Sequence, residues 1–288
     1  MGIARLPTAA GDRALTREEG LPAWSLRRDD PRARGLPRRL PHPIDREWAW
    51  GGADGAGVRV AVLDSGVDGD HELVGGLQRA VAVERTPGGE PVVAADALGD
   101  VAGHGTACAG IIRSVAPACE LWSVRVLGPG SREGPSALLA GLRWAVDEGC
   151  EIVNLSLSTP RREAAALLHD IADEAYFAGT VLVASAHNLE VRSYPWRFAS
   201  VISVASHDGR DPFEYLYNPS PPVEFLARGI DVEVAWLGGS RIVAAGNSFA
   251  TACVTGICAL ILSKHPGLTP FELKAILRET AANVRGTS

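Results

Sequence analysis

Residues 246–262 read GNSFATACVTGICALIL, a long apolar run that predicts a buried helix with Ser248 on its first turn. The first turn of a helix leaves backbone N–H groups free, and the helix dipole adds partial positive charge there. A negative oxygen formed beside Ser248 would therefore be stabilised as it appears, which favours a nucleophilic serine. Small residues before a helical serine are also typical of a simple N-cap, so this run alone leaves both interpretations open.

Two further segments favour the catalytic interpretation. Residues 58–63, VRVAVL, are typical of a buried strand, and Asp64 follows at its carboxyl end. Catalytic groups collect at that edge of an open α/β sheet, although an aspartate that ends a strand is otherwise most often a turn former. Residues 103–112, GHGTACAGII, place His104 between two glycines at the start of a helix of small residues.

These motifs, in the order Asp64, His104, Ser248, resemble those of the subtilases, the subtilisin-like serine proteases. The resemblance extends from about residue 44 to the C-terminus. Residues 151–158, EIVNLSLS, resemble the family's substrate-binding strand, and residues 184–188, ASAHN, resemble the strand end that carries its oxyanion asparagine.

The resemblance implies an α/β fold of three layers, in which a mainly parallel central sheet is flanked by helices. Strand-like runs also alternate with helical patterns from Val58 onward, including helices over 136–148 and 162–177, which favours parallel strands joined by crossover helices. Thr269, Pro270 and Glu272 have the spacing of a helix start with a capping box.

The resemblance also implies a role for each catalytic residue. His104 would take the proton of the Ser248 hydroxyl during attack on a peptide carbonyl, while Asp64 would hold the imidazole tautomer and stabilise the imidazolium. The Asn188 side chain and the Ser248 N–H would bind the oxyanion. The predicted function is a serine endopeptidase that acts on peptide or protein substrates.

Specificity is expected to be restricted, with an intracellular peptide or precursor as substrate. Several pocket positions where the family commonly has glycine carry side chains here, so the first specificity pocket should be narrower and more polar. The alternative is that the loops shift and the pocket stays open. The predicted substrate-binding residues are Ser156, Leu157, Ser158, Thr159, Ala186, His187 and Ser193.

Departures from the family pattern leave a second function open. Ala252 and Cys253 stand where the family usually has proline and histidine, and His187 is bulky beside the oxyanion asparagine. A pseudoprotease that binds a peptide or partner protein without cutting it is therefore the alternative. Metal-dependent hydrolysis is disfavoured because the chain has neither an H-E-x-x-H nor a C-x-x-C pair.

No cofactor and no metal ion are expected. The chain between Ile112 and Val115 is too short for the loop with which secreted subtilisins bind a structural calcium ion. Asp96 and Asp100 could bind calcium weakly, but a solvated loop is the favoured interpretation.

Cys108, four residues after His104 on the same predicted helix, should lie just beneath the imidazole. Core packing is its expected role. Resemblance to subtilases with a cysteine at this place implies inhibition by mercury.

Composition indicates a soluble enzyme with one sizeable domain. The chain has 288 residues, 46% of them hydrophobic, and a net charge of −6, which gives no basic surface for nucleic acid or membranes. Residues 1–30 lack a signal-peptide core, and the apolar run after Ser248 is shorter than a bilayer span requires. The odd, scattered set of cysteines predicts reduced thiols and a cytoplasmic location; it comprises Cys108, Cys119, Cys150, Cys253 and Cys258.

The chain is predicted to consist of an N-terminal extension and a single peptidase domain. Residues 1–43 are rich in arginine and proline, which predicts a mobile extension without regular helix or strand, and residues 44–288 form the peptidase domain. The sequence leaves the oligomeric state open.

Overall fold

The computed structural model describes residues 40–128 and 135–284. The chain divides into two compact units, Met1–Ile44 and Asp45–Ser288. Of the first unit only residues 40–44 are described, and they form neither helix nor strand. The predicted extension lies almost wholly outside the described residues, so its mobility and its boundary at residue 43 stay predictions.

Among the described residues, the second unit is built on a nine-stranded sheet and a separate pair of strands. Its strands are β1 Arg59–Asp64, β2 Arg79–Arg85, β3 Pro91–Ala95, β4 Glu120–Arg125, β5 Ile152–Leu155, β6 Val181–Ser185, β7 Ile202–His207, β8 Tyr215–Tyr217, β9 Phe225–Arg228, β10 Val232–Ala235 and β11 Arg241–Ala244. The strand order in the sheet is β3-β2-β4-β1-β5-β6-β7-β9-β8. In this order, every neighbouring pair from β2 through β9 is parallel, whereas the two edge strands, β3 and β8, are antiparallel to their neighbours. A separate antiparallel pair, β10 and β11, precedes the longest helix.

Helices cover the sheet in two layers. The described helices are α1 Arg46–Trp50, α2 His104–Val115, α3 Pro135–Asp147, α4 Ala165–Ala178, α5 Asn247–Lys264 and α6 Pro270–Thr280. One pair, α2 and α5, packs together and against the central strands, while α3 and α4 pack together with alternate strand residues such as Leu63 and Leu155. Because successive side chains of a strand point to opposite faces, these two pairs lie on opposite sides of the sheet. The predicted three-layer α/β fold is confirmed.

Local sequence signals located the helices well. The helix predicted over 136–148 is α3, and that predicted over 162–177 is a 3-10 turn at Arg162–Ala164 that leads into α4. The predicted capping box of α6 is confirmed, since the Thr269 hydroxyl accepts from the Glu272 N–H at 3.2 Å and the Glu272 carboxylate accepts from the Thr269 N–H at 2.8 Å.

Helix α5 is the long apolar helix that contains Ser248. It has 18 residues with a mean hydropathy of 1.3, so by length and composition alone it could cross a bilayer, and the expectation that it is too short was wrong. Burial, rather than length, characterises it, because 83% of the helix is enclosed by the rest of the protein. That is the environment of a core helix, which has no polar face because it meets protein on every side.

Candidate active site

Asp64 and His104 form a hydrogen-bonded pair at the carboxyl edge of the sheet. Asp64 is the last residue of β1 and His104 the first of α2, and the imidazole Nδ1 lies 2.8 Å from each carboxylate oxygen. The side chain of Asp64 is 1% exposed and that of His104 is 32% exposed. Because Nδ1–H donates to the carboxylate, Nε2 is the ring nitrogen left to act as a base.

Two glycines allow this close approach. Gly66, in the turn after β1, has a φ of +96°, which favours glycine. A Cβ atom on Gly105 would collide with the carbonyl oxygen of Gly66. The start of α2 can therefore pack against the end of β1 only without side chains at these positions.

The electrostatics of the pair favour a charged imidazole. The Asp64 carboxylate has the largest effect and raises the pKa of His104 above its ordinary value of 6.5, burial opposes this, and Asp100 adds a smaller rise. The net direction is upward, so the site stabilises the imidazolium that forms when His104 accepts a proton.

Ser248 is the second residue of α5 and is 5% exposed. Gly246 occupies the N-cap, so the interpretation of Ser248 as a simple cap is wrong. The imidazole of His104 lies against the next residue, Phe249, with the ring centroids 6.0 Å apart. Within the described part of the chain the Ser248 hydroxyl makes one hydrogen bond, to the main-chain oxygen of Ser156 at 3.3 Å, and none to His104.

Asn188 lies beside the same helix start. Its side-chain oxygen accepts a hydrogen bond of 3.1 Å from the backbone N–H of Asn247. The carboxamide oxygen of Asn188 is therefore bonded to α5, and its NH₂ group remains available as a hydrogen-bond donor. Asn188 and Ser248 border one pocket, as an oxyanion site requires.

That pocket has a volume of about 220 Å³ and lies between the ends of β5 and β6. Five of the seven predicted substrate-binding residues line it. Thr159 and Ser193 lie outside the lining: Thr159 pairs through its main chain with Tyr194, and Ser193 is fully buried behind Ser158, whose hydroxyl bonds to it at 2.9 Å. The lining consists of Ser156, Leu157, Ser158, Ser185, Ala186, His187, Asn188 and Ser248.

Cys108 lies where the helix spacing predicted. Its sulfur and ligand atoms of Asp64 and His104 all lie within 4.8 Å of one another, and the thiol is fully buried. Burial raises its pKa well above the ordinary value, so the thiol stays protonated. It contacts the Ser156 hydroxyl at 3.3 Å.

Sequence reasoning missed Asn247. Its side chain donates to the main-chain oxygen of Ala186 at 3.1 Å and accepts from the Ser206 N–H at 2.9 Å. It therefore fastens the start of α5 to the ends of β6 and β7. Asparagine at a helix start is a recognisable sequence signal, but the partners of Asn247 are distant in the chain, and no sequence signal indicates them.

The interpretation of Asp96 and Asp100 as a solvated acidic loop was wrong. Asp96 pairs with the buried guanidinium of Arg125 at 3.0 Å. Asp100 accepts hydrogen bonds from the turn after β1 and from the start of α2. Both carboxylates are engaged within the protein.

Known proteins share this architecture. The model of the subtilase family matches residues 55–288. Subtilisin BL of Lederbergia lenta is 30% identical over 250 residues, which cover 82% of this chain and 88% of that protein, and subtilisin E of Bacillus subtilis (strain 168) is 30% identical over 247 residues, 80% of this chain and 62% of that protein. The crystal structure of a cold-adapted subtilisin-like serine proteinase superposes with a TM-score of 0.66 at 29% identity, covering 82% of this chain and 88% of that one.

The resemblance inferred from the motifs is thereby confirmed. The match includes the segments that carry Asp64, His104, Asn188 and Ser248. The chain belongs to the subtilase family and is a serine-type endopeptidase.

Proposed function

We propose that this chain cleaves peptide bonds with Ser248 as nucleophile, His104 as general base and Asp64 as the group that orients and stabilises the imidazole. The observation that carries the proposal is the Asp64–His104 hydrogen bond beside the first turn of α5. In the reaction, the Ser248 oxygen bonds to the peptide carbonyl carbon while its proton passes to Nε2 of His104. His104 then gives that proton to the departing amine, and water releases the acyl group by the same two proton transfers.

Attack requires the Ser248 hydroxyl to leave the Ser156 oxygen and turn toward His104. Catalytic hydrogen bonds are often long or misaligned without substrate and tighten in the complex. The negative oxygen that forms would be bound by the Asn188 NH₂ group and the Ser248 N–H. The free N–H groups and the dipole of α5 add to this stabilisation.

Restricted specificity is the second part of the proposal. The pocket of about 220 Å³ is smaller than the roughly 300–1,000 Å³ that enclose drug-sized ligands. Its described lining carries serines and His187 but no carboxylate, so a lysine or arginine side chain would lose its hydration without gaining an ion pair. We therefore propose cleavage after small, uncharged residues of an intracellular peptide or precursor, with the buried thiols as support for the compartment.

One observation favours the alternative, a pseudoprotease that binds peptide without cutting it. The Ser248 hydroxyl bonds to Ser156 rather than to the base. A fluorophosphonate probe separates the two functions, because it forms a covalent bond only with an activated serine.

The labelling experiment uses the full chain and two variants. We expect the wild type to be labelled, Ser248→Ala to remain unlabelled and to lose about 10⁶-fold in turnover, as nucleophile removal does in subtilisin, and His104→Ala to be labelled far more slowly. An unlabelled wild type that still binds peptides would establish the pseudoprotease. More than a tenth of wild-type turnover in Ser248→Ala would refute the assignment of the nucleophile.

A mass-spectrometric cleavage profile on a peptide library tests the specificity. We expect cuts after a narrow set of small, uncharged residues. Ser158→Gly should open the pocket and raise cleavage after larger residues by about tenfold or more, since each methylene in such a pocket changes discrimination by about 10–200-fold. Efficient wild-type cleavage after lysine or arginine would contradict the proposal.

A further inference from the structure

Asp100 accepts more hydrogen bonds than any other described carboxylate near the active site. One oxygen, Oδ1, accepts from the Ser65 hydroxyl at 2.8 Å and from the N–H groups of Ala102 and Gly103 at 2.9 and 2.8 Å. The other, Oδ2, accepts from the Thr106 N–H at 2.8 Å and from the Thr106 hydroxyl at 2.6 Å. The carboxylate is therefore saturated by protein donors.

These donors flank the two members of the Asp64–His104 pair. Ser65 follows Asp64 directly, and its N–H donates to the Asp64 carboxylate at 2.7 Å. Gly103 precedes His104 and Thr106 lies two residues after it. One carboxylate thus holds the end of β1 and the start of α2 at the same time.

Two hydroxyl groups extend this connection. The Ser65 hydroxyl, while it donates to Asp100, accepts from the Gly105 N–H at 3.1 Å. The Thr106 hydroxyl likewise donates to Asp100 and accepts from the Asp68 N–H at 2.9 Å. Each serves as a bridge between the turn after β1 and the first turn of α2, and each takes its orientation from the carboxylate.

We propose that Asp100 is a positioning residue of this endopeptidase: it holds the turn after Asp64 and the first turn of α2 together, so that the Asp64 carboxylate meets the Nδ1–H of His104. This inference rests on the proposed roles of Asp64 and His104. Asp100 itself touches neither substrate nor the reacting atoms. The position of Asp100 at the N-terminus of α2 also favours a negative charge, because its carboxylate accepts hydrogen bonds from N–H groups that have no partner within the helix.

Removal of the Asp100 charge should change the pKa of His104, which a merely structural role of Asp100 would not do. Among the described residues, the titratable groups that act on His104 or lie against it are Asp64, which dominates, Asp100 and the protonated thiol of Cys108. Since the negative charge of Asp100 favours the imidazolium, its removal lowers the pKa of His104. Asparagine keeps the side chain's size but replaces one acceptor oxygen by an NH₂ donor, so Asp100→Asn removes both the charge and the hydrogen bonds that one oxygen accepts.

The test compares Asp100→Asn with Asp70→Asn, an exposed aspartate in the turn after β1. In Asp100→Asn we expect kcat and kcat/KM to fall together by up to about 10²-fold, because the loss concerns alignment in the transition state rather than binding. The acid limb of kcat/KM should shift to lower pH. Asp70→Asn should match the wild type in both respects.

A second measurement does not depend on activity. NMR titration of the His104 imidazole, in a Ser248→Ala background with and without Asp100→Asn, should give a lower pKa in the double variant. If the wild-type chain proves inactive, the proposed function fails, yet this titration still decides the role of Asp100. An unchanged His104 pKa, or an unchanged kcat in folded Asp100→Asn, would overturn the inference.

Thr106 variants decide the matter if Asp100→Asn does not fold. Thr106→Val removes one donor to Asp100 and keeps the charge, so we expect a lower kcat with the acid limb in place, while Thr106→Ser, which keeps the hydroxyl, should restore kcat. Equal activity of Thr106→Val and Thr106→Ser would count against the inference.

Discussion

Two opposing effects at His104 set the pH range of activity. The Asp64 carboxylate raises the pKa of the imidazole and burial lowers it, and the effect of the carboxylate is the larger of the two. Only the neutral imidazole can take the Ser248 proton, so activity is lost as the pH falls through the raised pKa. We expect the acid limb of kcat/KM to have its midpoint above 6.5, the ordinary value for histidine.

Asp64→Asn checks the cause of this shift. It removes the charge that favours the imidazolium, so the midpoint should move to lower pH in whatever activity remains, and turnover should fall by about 10⁴-fold, as in comparable triads. Initial rates between pH 5 and 9 measure both effects. A wild-type midpoint at or below 6.5 would show that desolvation outweighs the carboxylate.

We expect Cys108 to make the active site sensitive to soft metals. A mercury ion bound to its sulfur would lie within reach of His104 and Asp64, whose ligand atoms are within 4.8 Å. We expect mercury to inhibit the enzyme slowly, because the thiol is fully buried and its raised pKa keeps it protonated. Cys108→Val should remove most of the sensitivity with little loss of activity.

Cys253→Val is the matched control for mercury. Burial raises the pKa of Cys253 to about 12, and its sulfur lies against the Arg228 carbonyl, 3.7 Å away, rather than beside the triad. This variant should stay sensitive. Inactivation rates at a fixed mercury concentration decide the question, and persistent inhibition of Cys108→Val would assign the effect to another thiol.

Among the elements, α2 and α5 matter most, because α2 carries His104 and α5 carries Ser248. Their close packing depends on Gly256. A Cβ atom there would lie 2.6 Å from Cβ and 2.8 Å from Cγ1 of Val115, at the end of α2. Glycine costs α5 about 1 kcal/mol of helix propensity relative to alanine, but it lets the two helices approach.

Gly256→Ala should therefore destabilise the protein despite the better helix former. Overpacking of this kind costs about 1–3 kcal/mol, and the displaced helices should also slow fluorophosphonate labelling of Ser248. Urea unfolding and labelling rates measure the two effects. Gly110→Ala is the control, since its Cβ would come no nearer than 3.3 Å to a neighbour and the effect should be milder; equal stability of Gly256→Ala and wild type would contradict the argument.

Local signals in the sequence predicted the elements better than their contacts. The strand before Asp64, the helix start at Ser248 and the capping box of Thr269 each depend on residues close in the chain, so their chemistry can be recognised there. The bonds of Asp100 to Ser65 and those of Asn247 to Ser206 join residues 35 and 41 positions apart. No periodicity or cap encodes such pairs, because the sheet topology brings them together.

At the scale of the molecule, the parallel sheet is what assembles the site. Asp64 ends β1, Ser156 follows β5 and Asn188 follows β6 by three residues, and these strands are adjacent in the order β1-β5-β6. Carboxyl ends of parallel strands meet at one edge of a sheet, which is where α2 and α5 begin. Thr159 and Ser193, predicted as pocket residues, lie outside the lining because the segments after β5 and β6 pair with each other there. The main chain of Thr159 pairs with that of Tyr194, and the Ser158 hydroxyl donates to that of Ser193.

All five cysteines are buried and free. This agrees with the prediction of reduced thiols. Burial raises the pKa of Cys119 to about 11 and that of Cys150 to about 12, so few thiolates are present at neutral pH.

The state of these thiols gives a prediction for the whole molecule. A thiol-specific chromogenic disulfide reagent at pH 8 should react slowly with the native protein, because it needs access and a thiolate. In denaturant without reductant it should titrate five thiols, one for each cysteine in the chain. Prior reduction should leave the count unchanged. A count that rises to five only after reduction would reveal a disulfide in the isolated protein, and rapid reaction of the native protein would show that the α2–α5 layer, which holds three of the five cysteines, opens readily in solution.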